Sequence, residues 1–464
     1  MTEVTILDAM TDPALFGATF GGASHNAWRA LLGGFYGLAM DDDTAETFRT
    51  LTGRTDAPTG PMSELWLAIG RRGGKSHLAA LIAVFEAAFH DHRDRLAAGE
   101  WATVMLIAAD RAQARTLQRY VAGFFQHPML RSMVMRETAN GMELSNRCVI
   151  EVGTASFRSV RGYTLAAAIC DEIAFWHSDG ARPDAETIAA LRPALATLGG
   201  KLIAVSSPYA RRGALWDNYR KHFGQPHERI LVAQAASRTM NPLLPEHIVA
   251  DAIKDDAARA GAEYLAQFRS DIEAFLTLEI VTEAQRQHLL ICPPLANVRY
   301  SAFVDPSGGG ADEFTLAIGH MDGQRIVVDL ATGQRGNPAA ITAEFCDLLK
   351  QYRISRVQGD RYSGEWVRTE FARHGVTYDD APGARTDLYM SLGSALNAGR
   401  VELPSCQKLE RQLVALERRT SRGGRDQIDH APGSHDDRAN CVAGVVAILS
   451  QTGRKTVSVQ ELCL

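Results

Sequence analysis

Seven consecutive residues, Gly70-Arg71-Arg72-Gly73-Gly74-Lys75-Ser76, carry the first chemistry that can be read from this chain. They follow the apolar run Leu65 to Ile69 and lead into an apolar helical pattern that reaches Phe89. A phosphate anion needs backbone N–H groups unobstructed by Cβ atoms, a helix N-terminus behind them, a lysine for its outer oxygens and a hydroxyl for Mg²⁺. All of these parts are present, so the segment is expected to bind ATP and Mg²⁺ as a departing Walker A loop. The departure is at Ile69, where the usual spacing has a glycine; Gly70 follows it instead. Arg71 and Arg72 put positive charge where an arginine finger would act, with solvent exposure or pairing to an acid as the plain alternative.

Further along, the apolar run in "TLAAAICDEIAFW" ends in Asp171 and Glu172. One carboxylate at the end of a buried strand can hold Mg²⁺ and its neighbour can polarise the attacking water, the division of labour of a Walker B pair. Another strand-like run ends in Ser206-Ser207-Pro208, whose hydroxyls could sense the γ-phosphate; on its own the tripeptide is only a turn signal. Arg158 and Arg161 could contact nucleotide or DNA, or face solvent.

A second group of acids has different chemistry. Asp305 follows "YSAFV", Asp360 follows "ISRVQG", and Asp436 and Asp437 open the helical run "RANCVAGVVAIL". Two divalent ions, Mg²⁺ or Mn²⁺, clamping a scissile phosphate require acids clustered at the ends of adjacent strands and on a facing helix. The order strand, strand, helix supplies that arrangement, with Asp437 or Asp436 as the third ligand and Asp312 and Glu365 as possible auxiliaries. Taken singly, Asp305 reads as a turn residue and Asp436 as a helix cap. Arg418, Arg419, Arg422 and Arg425 flank Gly423-Gly424 in a segment that reads as a basic hairpin able to track a duplex backbone, or as a solvated charge run.

Positioning these residues requires two α/β blocks. Between Leu65 and Pro208, short apolar runs alternate with helical patterns, which predicts a P-loop domain with a mainly parallel sheet. From Tyr300, three strand-like runs precede the first helix, which predicts a mixed sheet; Gly308 to Gly310 read as a hairpin turn there. The expected division is residues 1–275, a linker at 276–298 and a second domain at 299–464. The first 60 residues and the tail after Gln451 carry no sustained pattern. With 464 residues, 46% apolar and 22% charged, the composition is that of a globular chain and excludes disordered and fibrous classes. No apolar stretch is long enough to span a bilayer, so a soluble intracellular protein without a membrane partner is expected. The seven cysteines have no paired spacing and read as buried thiols, and the net charge of −5 leaves the partner open.

In sequence, the signals are a Walker A loop with an internal arginine, an Asp-Glu pair, Ser-Ser-Pro, then Asp, Asp and His-Asp-Asp. This order resembles the large terminase subunit of tailed bacteriophages over most of the chain, from Leu65 to Leu449. The resemblance implies an ATPase that drives double-stranded DNA into procapsids, fused to an RNase H-like endonuclease that cuts concatemeric DNA. It implies as partners the portal protein and the small terminase subunit, and homo-oligomerisation on the portal, in the host cytoplasm. Carried over by position, Arg71, Lys75 and Ser76 would contact ATP and Mg²⁺, Asp171 would be the metal-associated acid and Glu172 the catalytic glutamate. Ser206 to Pro208 would couple hydrolysis to movement, and Asp305, Asp360 and Asp437, with Asp436 competing, would hold the nuclease metals. The family's adenine-contacting glutamine has no match in "SHNAWRALL", which offers Asn26 and Trp28. Two rival readings use the same parts: a helicase-nuclease of recombination or defence, and a DNA- or portal-docking protein with an inactive second domain.

Overall fold

Eight strands of the first half form one sheet: β1 (Glu64–Ile69), β2 (Ala102–Ala108), β3 (Val134–Thr138), β4 (Gly141–Leu144), β5 (Cys148–Thr154), β6 (Thr164–Asp171), β7 (Lys201–Ser206) and β8 (Ile230–Ala235). The computed structural model describes residues 4–154, 162–176, 183–287, 290–306, 312–360, 364–420, 426–431 and 434–452. Arg158, Arg161, Gly308 to Gly310, Arg422 and Arg425 lie outside these residues. The strand order is β3-β4-β5-β2-β6-β7-β1-β8. From β5 to β8 all neighbours are parallel, and only β4 and β3 run antiparallel at one edge.

The apolar runs are continuous because helices cover both faces of the parallel part. Alternation along β1 sends Leu65, Leu67 and Ile69 into the core shared with the helix Lys75–Ala88. Trp66 points the other way, into the core shared with the helices Pro183–Ala196 and Gly213–His222. The first 60 residues, where no pattern was expected, form the helices Ile6–Thr11, Gly17–Phe20, Asn26–Phe35 and Asp42–Thr52. These helices are short, so their apolar periodicity is brief, but Phe20, Trp28, Leu31, Phe35 and Phe48 are fully buried in the first core.

Contacts divide the chain into two units at Ser270/Asp271. Near that division Arg269 N donates to Tyr209 O at 2.8 Å, and Ala210 pairs with Arg269 in a parallel bridge.

The second unit contains β9 (Ile272–Ala274), β10 (Tyr300–Asp305), β11 (Phe314–Asp322), β12 (Arg325–Gln334), β13 (Arg356–Gly359), β14 (Thr377–Asp380), β15 (Val401–Glu402), β16 (Leu416–Thr420) and β17 (Asp426–His430). Its main sheet has the order β14-β13-β10-β11-β12-β15. β10, β11 and β12 form an antiparallel meander, while β13 and β14 run parallel to β10. Three meander strands on one side and crossover-connected parallel strands on the other make a mixed, RNase H-like sheet. The helix Asp437–Thr452 lies close against it: a Cβ on Gly444 would stand 2.2 Å from Phe303 Cγ. β16 and β17 form an antiparallel hairpin that β9 extends to three strands.

The expected linker at 276–298 needs correction, because much of it is built into the second unit. Its helix Leu278–Ala284 buries Val281 in the same core as Leu409 and Leu413. Leu403 N donates to Ala284 O at 2.8 Å, Arg286 N to Leu403 O at 3.0 Å, and Cys292 N to Asp329 O at 2.9 Å. Among the described residues, no helix is long and apolar enough to cross a membrane.

Two candidate active sites

In the first unit, the loop from Gly70 to Gly74 joins the C-terminal end of β1 to the helix Lys75–Ala88. Gly74, at φ +90°, takes the left-handed turn into that helix, whose first amides have no side-chain cap. Those amides stay available to an anion. Gly70 is needed for a different reason: a Cβ there would lie 2.4 Å from Ser237 Oγ, 2.6 Å from Ser237 N and 2.6 Å from Tyr264 O. From the N-terminal helices, Trp28 Nε1 donates to Gly73 O at 3.0 Å.

Side chains from β6 and β7 converge on the loop. Lys75 Nζ is buried, donates to Ser207 Oγ at 2.8 Å and stands 3.4 Å from Glu172 Oε1. Ser76 Oγ donates to Asp171 Oδ2 at 2.8 Å. Glu172 Oε2 accepts from Ser206 Oγ at 2.8 Å and from Ser207 N at 3.2 Å. These contacts follow from the strand order, since β7 lies between β6 and β1 and brings Ser206 and Ser207 between the lysine and the acid pair. Glu172 has φ +51°, a left-handed conformation that costs a non-glycine residue on the order of 1–3 kcal/mol and is held by these bonds.

Asp171 is fully buried, and its Oδ1 has no hydrogen-bond partner. Burial first, and then the charge of Glu172, push its carboxyl up to about 7. A hard oxygen pair, Ser76 Oγ and Asp171, with one orphaned carboxylate oxygen suits Mg²⁺. The arginines of the loop behave differently. Arg71 pairs with Glu263 (Nη1 to Oε2, 3.3 Å), its side chain 58% exposed. Its backbone is tied as well, with Ser237 Oγ donating to Arg71 O at 2.5 Å. Arg72 has φ +65° and is exposed, and its carbonyl accepts from Asn241 Nδ2 at 2.9 Å. In this state Arg71 is turned to an acid and not to the lysine.

In the second unit, Asp305 ends β10, and Asp360 directly follows β13. Val304 and Gly359 are paired across these two parallel strands, so both acids leave the sheet at the same edge. Asp437 opens the facing helix. Its Oδ2 accepts from Glu313 N at 3.0 Å and its carbonyl from Thr315 Oγ1 at 2.9 Å, which fixes the helix start against β11. Gln412 Oε1 caps the same helix, accepting from Arg438 N at 2.9 Å and Ala439 N at 3.1 Å.

The charges confirm the grouping. Burial pushes Asp305 up to about 7; Asn440 and Arg385 oppose this, while the charges of Asp360 and Asp437 add to it. Asn440 Nδ2 donates to Asp305 Oδ2 at 2.7 Å. Asp437 is also raised, first by burial and then, against the Glu313 amide, by Asp312 and Asp436. Asp436 belongs to another network: its Oδ2 accepts from Tyr389 OH at 2.6 Å and stands 3.4 Å from Arg385, and its Oδ1 is 3.3 Å from His430. Burial would raise Asp436, but His430, Arg385 and Tyr389 together hold it below the usual carboxylate range. A set of carboxylate oxygens raised by their own crowding fits hard divalent ions such as Mg²⁺ or Mn²⁺.

The chain is similar to bacteriophage large terminases. The HK97 large terminase matches with a TM-score of 0.40 and 15% identity, covering 91% of this chain and 99% of that one. The large terminase of a thermophilic bacteriophage, solved in complex with ADP, matches with a TM-score of 0.37 and 13% identity over 87% of this chain and 98% of that one. The large terminase nuclease of the thermophilic phage G20c, solved with bound magnesium, covers 37% of this chain and 95% of its own, with a TM-score of 0.32 and 15% identity. No family model and no curated protein matches.

Of the expected duplex-binding arginines, the two described ones are compensated within their own hairpin. Arg418 Nε lies 2.9 Å from Asp426 Oδ2, and Arg419 Nη2 lies 3.0 Å from Glu417 Oε2. The structure also reveals residues that sequence reasoning missed, namely Trp28, Glu263, Arg385, Gln412 and Asn440. Only Trp28 and Arg385 carried a usable signal: a large ring in a segment without other chemistry, and a cation just after a Pro-Gly turn.

Proposed function

We propose that residues 1–270 hydrolyse ATP to move along double-stranded DNA and that residues 271–464 cut DNA with divalent metal, as in a viral genome-packaging motor. The observation that carries this reading is the convergence of Lys75, Ser76, Asp171, Glu172, Ser206 and Ser207, which come from three strand ends, on one phosphate-binding loop. ATP·Mg²⁺, when bound, supplies the phosphoanhydride. The open amides of the helix Lys75–Ala88 and Lys75 hold its outer phosphates, with Ser76 and Asp171 holding Mg²⁺. Glu172 orients the attacking water, and Ser206 and Ser207 exchange their bonds between Glu172, Lys75 and the phosphate. Arg71 takes part after leaving Glu263, while Arg72 remains at the surface.

In the second unit, Asp305, Asp360 and Asp437 hold divalent metal at the scissile phosphate, and Asp436 supports them from behind. Double-stranded DNA, a portal and a small subunit are the partners that this reading requires, with oligomerisation on the portal. The compensated hairpin charges favour a weak duplex grip at Arg418 and Arg419. The test is to measure ATP hydrolysis, duplex tracking and strand displacement with the purified chain. A packaging motor displaces a triplex-forming third strand in an ATP-dependent way without separating the duplex. Unwinding of the duplex itself would replace this reading with a helicase-nuclease.

A further inference from the structure

One cation stands among the acids of the second site. Arg385 is the first residue of the helix Arg385–Asn397, which is anchored by the buried Leu388, Tyr389 and Leu392. Its guanidinium reaches three carboxylates: Nη1 is 3.4 Å from Asp436 Oδ2 and 3.9 Å from Asp429 Oδ1, and Nη2 is 4.0 Å from Asp305 Oδ2. All three separations exceed the ~2.8 Å of a charge-assisted hydrogen bond. The guanidinium is therefore held by the field of the acids without giving its N–H groups to any one of them, and its side chain is 40% exposed. The acids on this flank are satisfied elsewhere, Asp436 by Tyr389 and Asp305 Oδ2 by Asn440.

We propose that Arg385 is the second cation of the nuclease site, which takes a single divalent ion on the side of Asp305, Asp360 and Asp437. A second ion would have to share Asp305 and Asp436, and there it would meet a fixed positive charge within about 4 Å of both. The guanidinium fork suits a phosphate better than it suits three scattered carboxylates, because two parallel N–H groups match two phosphate oxygens. On substrate binding it donates to the non-bridging oxygens of the scissile phosphodiester and offsets the charge that a second metal would otherwise offset. Arg385 moves no proton; water adds to phosphorus and the P–O ester bond breaks. This inference rests on the nuclease reading above.

The experiment counts Mn²⁺ bound per full-length chain without nucleotide, by calorimetry and electron paramagnetic resonance, taking only the ions that Asp305→Ala loses. The expected result is one such ion in the parent and two in Arg385→Gln, with plasmid cutting at least tenfold slower in that variant. Arg385→Lys, which keeps the charge and the fold's ion pairing, is expected to bind one ion and to recover part of the cutting rate. Two ions in the parent, with count and cutting unchanged in Arg385→Gln, would overturn the proposal and leave the nuclease reading standing. No ion in any variant would overturn both.

Discussion

Ser76 Oγ donates a 2.8 Å hydrogen bond to Asp171 Oδ2, joining the residue after the phosphate-binding lysine to the end of β6, two strands away in the sheet. This pair already has the geometry of a Mg²⁺ site. The acid next to it, Glu172, is bonded to Ser206, Ser207 and Lys75 and is the group placed to act on water.

Glu172→Gln keeps the size and the hydrogen-bonding reach of the side chain and removes its charge. Steady-state phosphate release should fall by roughly 10²–10⁴-fold, the usual share of a general base. Titration with a fluorescent ATP analogue should change little. Hydrolysis at the parental rate would remove Glu172 from the reaction.

Asp171 and Asp305 are each raised to about 7 from an ordinary 3.8. As pH rises from about 4 to 7, the unfolded chain has already released these two protons while the folded, metal-free protein still holds them. The contribution of the two groups to stability is therefore fully favourable below pH 4 and is lost progressively up to pH 7. Thermal melting without metal should show this fall, and Asp171→Asn with Asp305→Asn should flatten it. Mg²⁺ competes with the protons, so the rise in Tm that it gives should be larger at pH 8 than at pH 5.5.

Asp437 and Asp436 are adjacent in sequence and should fail differently. Asp437→Asn should slow metal-dependent plasmid cutting by at least about tenfold to a hundredfold, the range seen when even an outer partner of a metal is lost. ATP hydrolysis should stay intact. Asp436→Asn leaves Tyr389, His430 and Arg385 without their carboxylate and should cost about 1–3 kcal/mol of stability with a smaller loss of cutting. Equal cutting by the parent and Asp437→Asn would exclude Asp437.

Gly70→Ala tests the loop that departs from the usual spacing. Its Cβ would press on Ser237 N and Tyr264 O, backbone atoms that bond to each other at 2.7 Å and cannot swing aside. A loss of about 1–3 kcal/mol is expected, read by denaturant unfolding, together with weaker nucleotide binding.

The motifs were legible because each sits where a buried strand stops. The apolar runs ending at Ile69, Asp171 and Ser206 are the C-terminal ends of β1, β6 and β7, and those at Asp305 and Gly359 end β10 and β13. Their order in the sheet was not legible, since the crossover that sets β7 between β6 and β1 depends on packing and not on local pattern. β5 and β8 were missed as strands, although both lie in the parallel part of the sheet. Arg71 was read from the resemblance as a nucleotide contact, yet its partner Glu263 lies far along the chain and no spacing rule links them. Arg385 and Asn440 escaped for the same reason: each acts on Asp305 from a helix remote in sequence.

β7 is hydrogen-bonded on both sides, so it cannot slide when the phosphate next to Ser206 and Ser207 is lost. The freedom lies just beyond it, at Pro208 and Tyr209. Tyr209 O is tied to Arg269 N, one residue before Ser270, where the chain leaves the first unit. A displacement of the serines therefore has a main-chain route only a few bonds long to the covalent exit. The first unit is wired so that the state of its nucleotide is felt, as a pull on the polypeptide itself, at the point where the chain passes on to the nuclease.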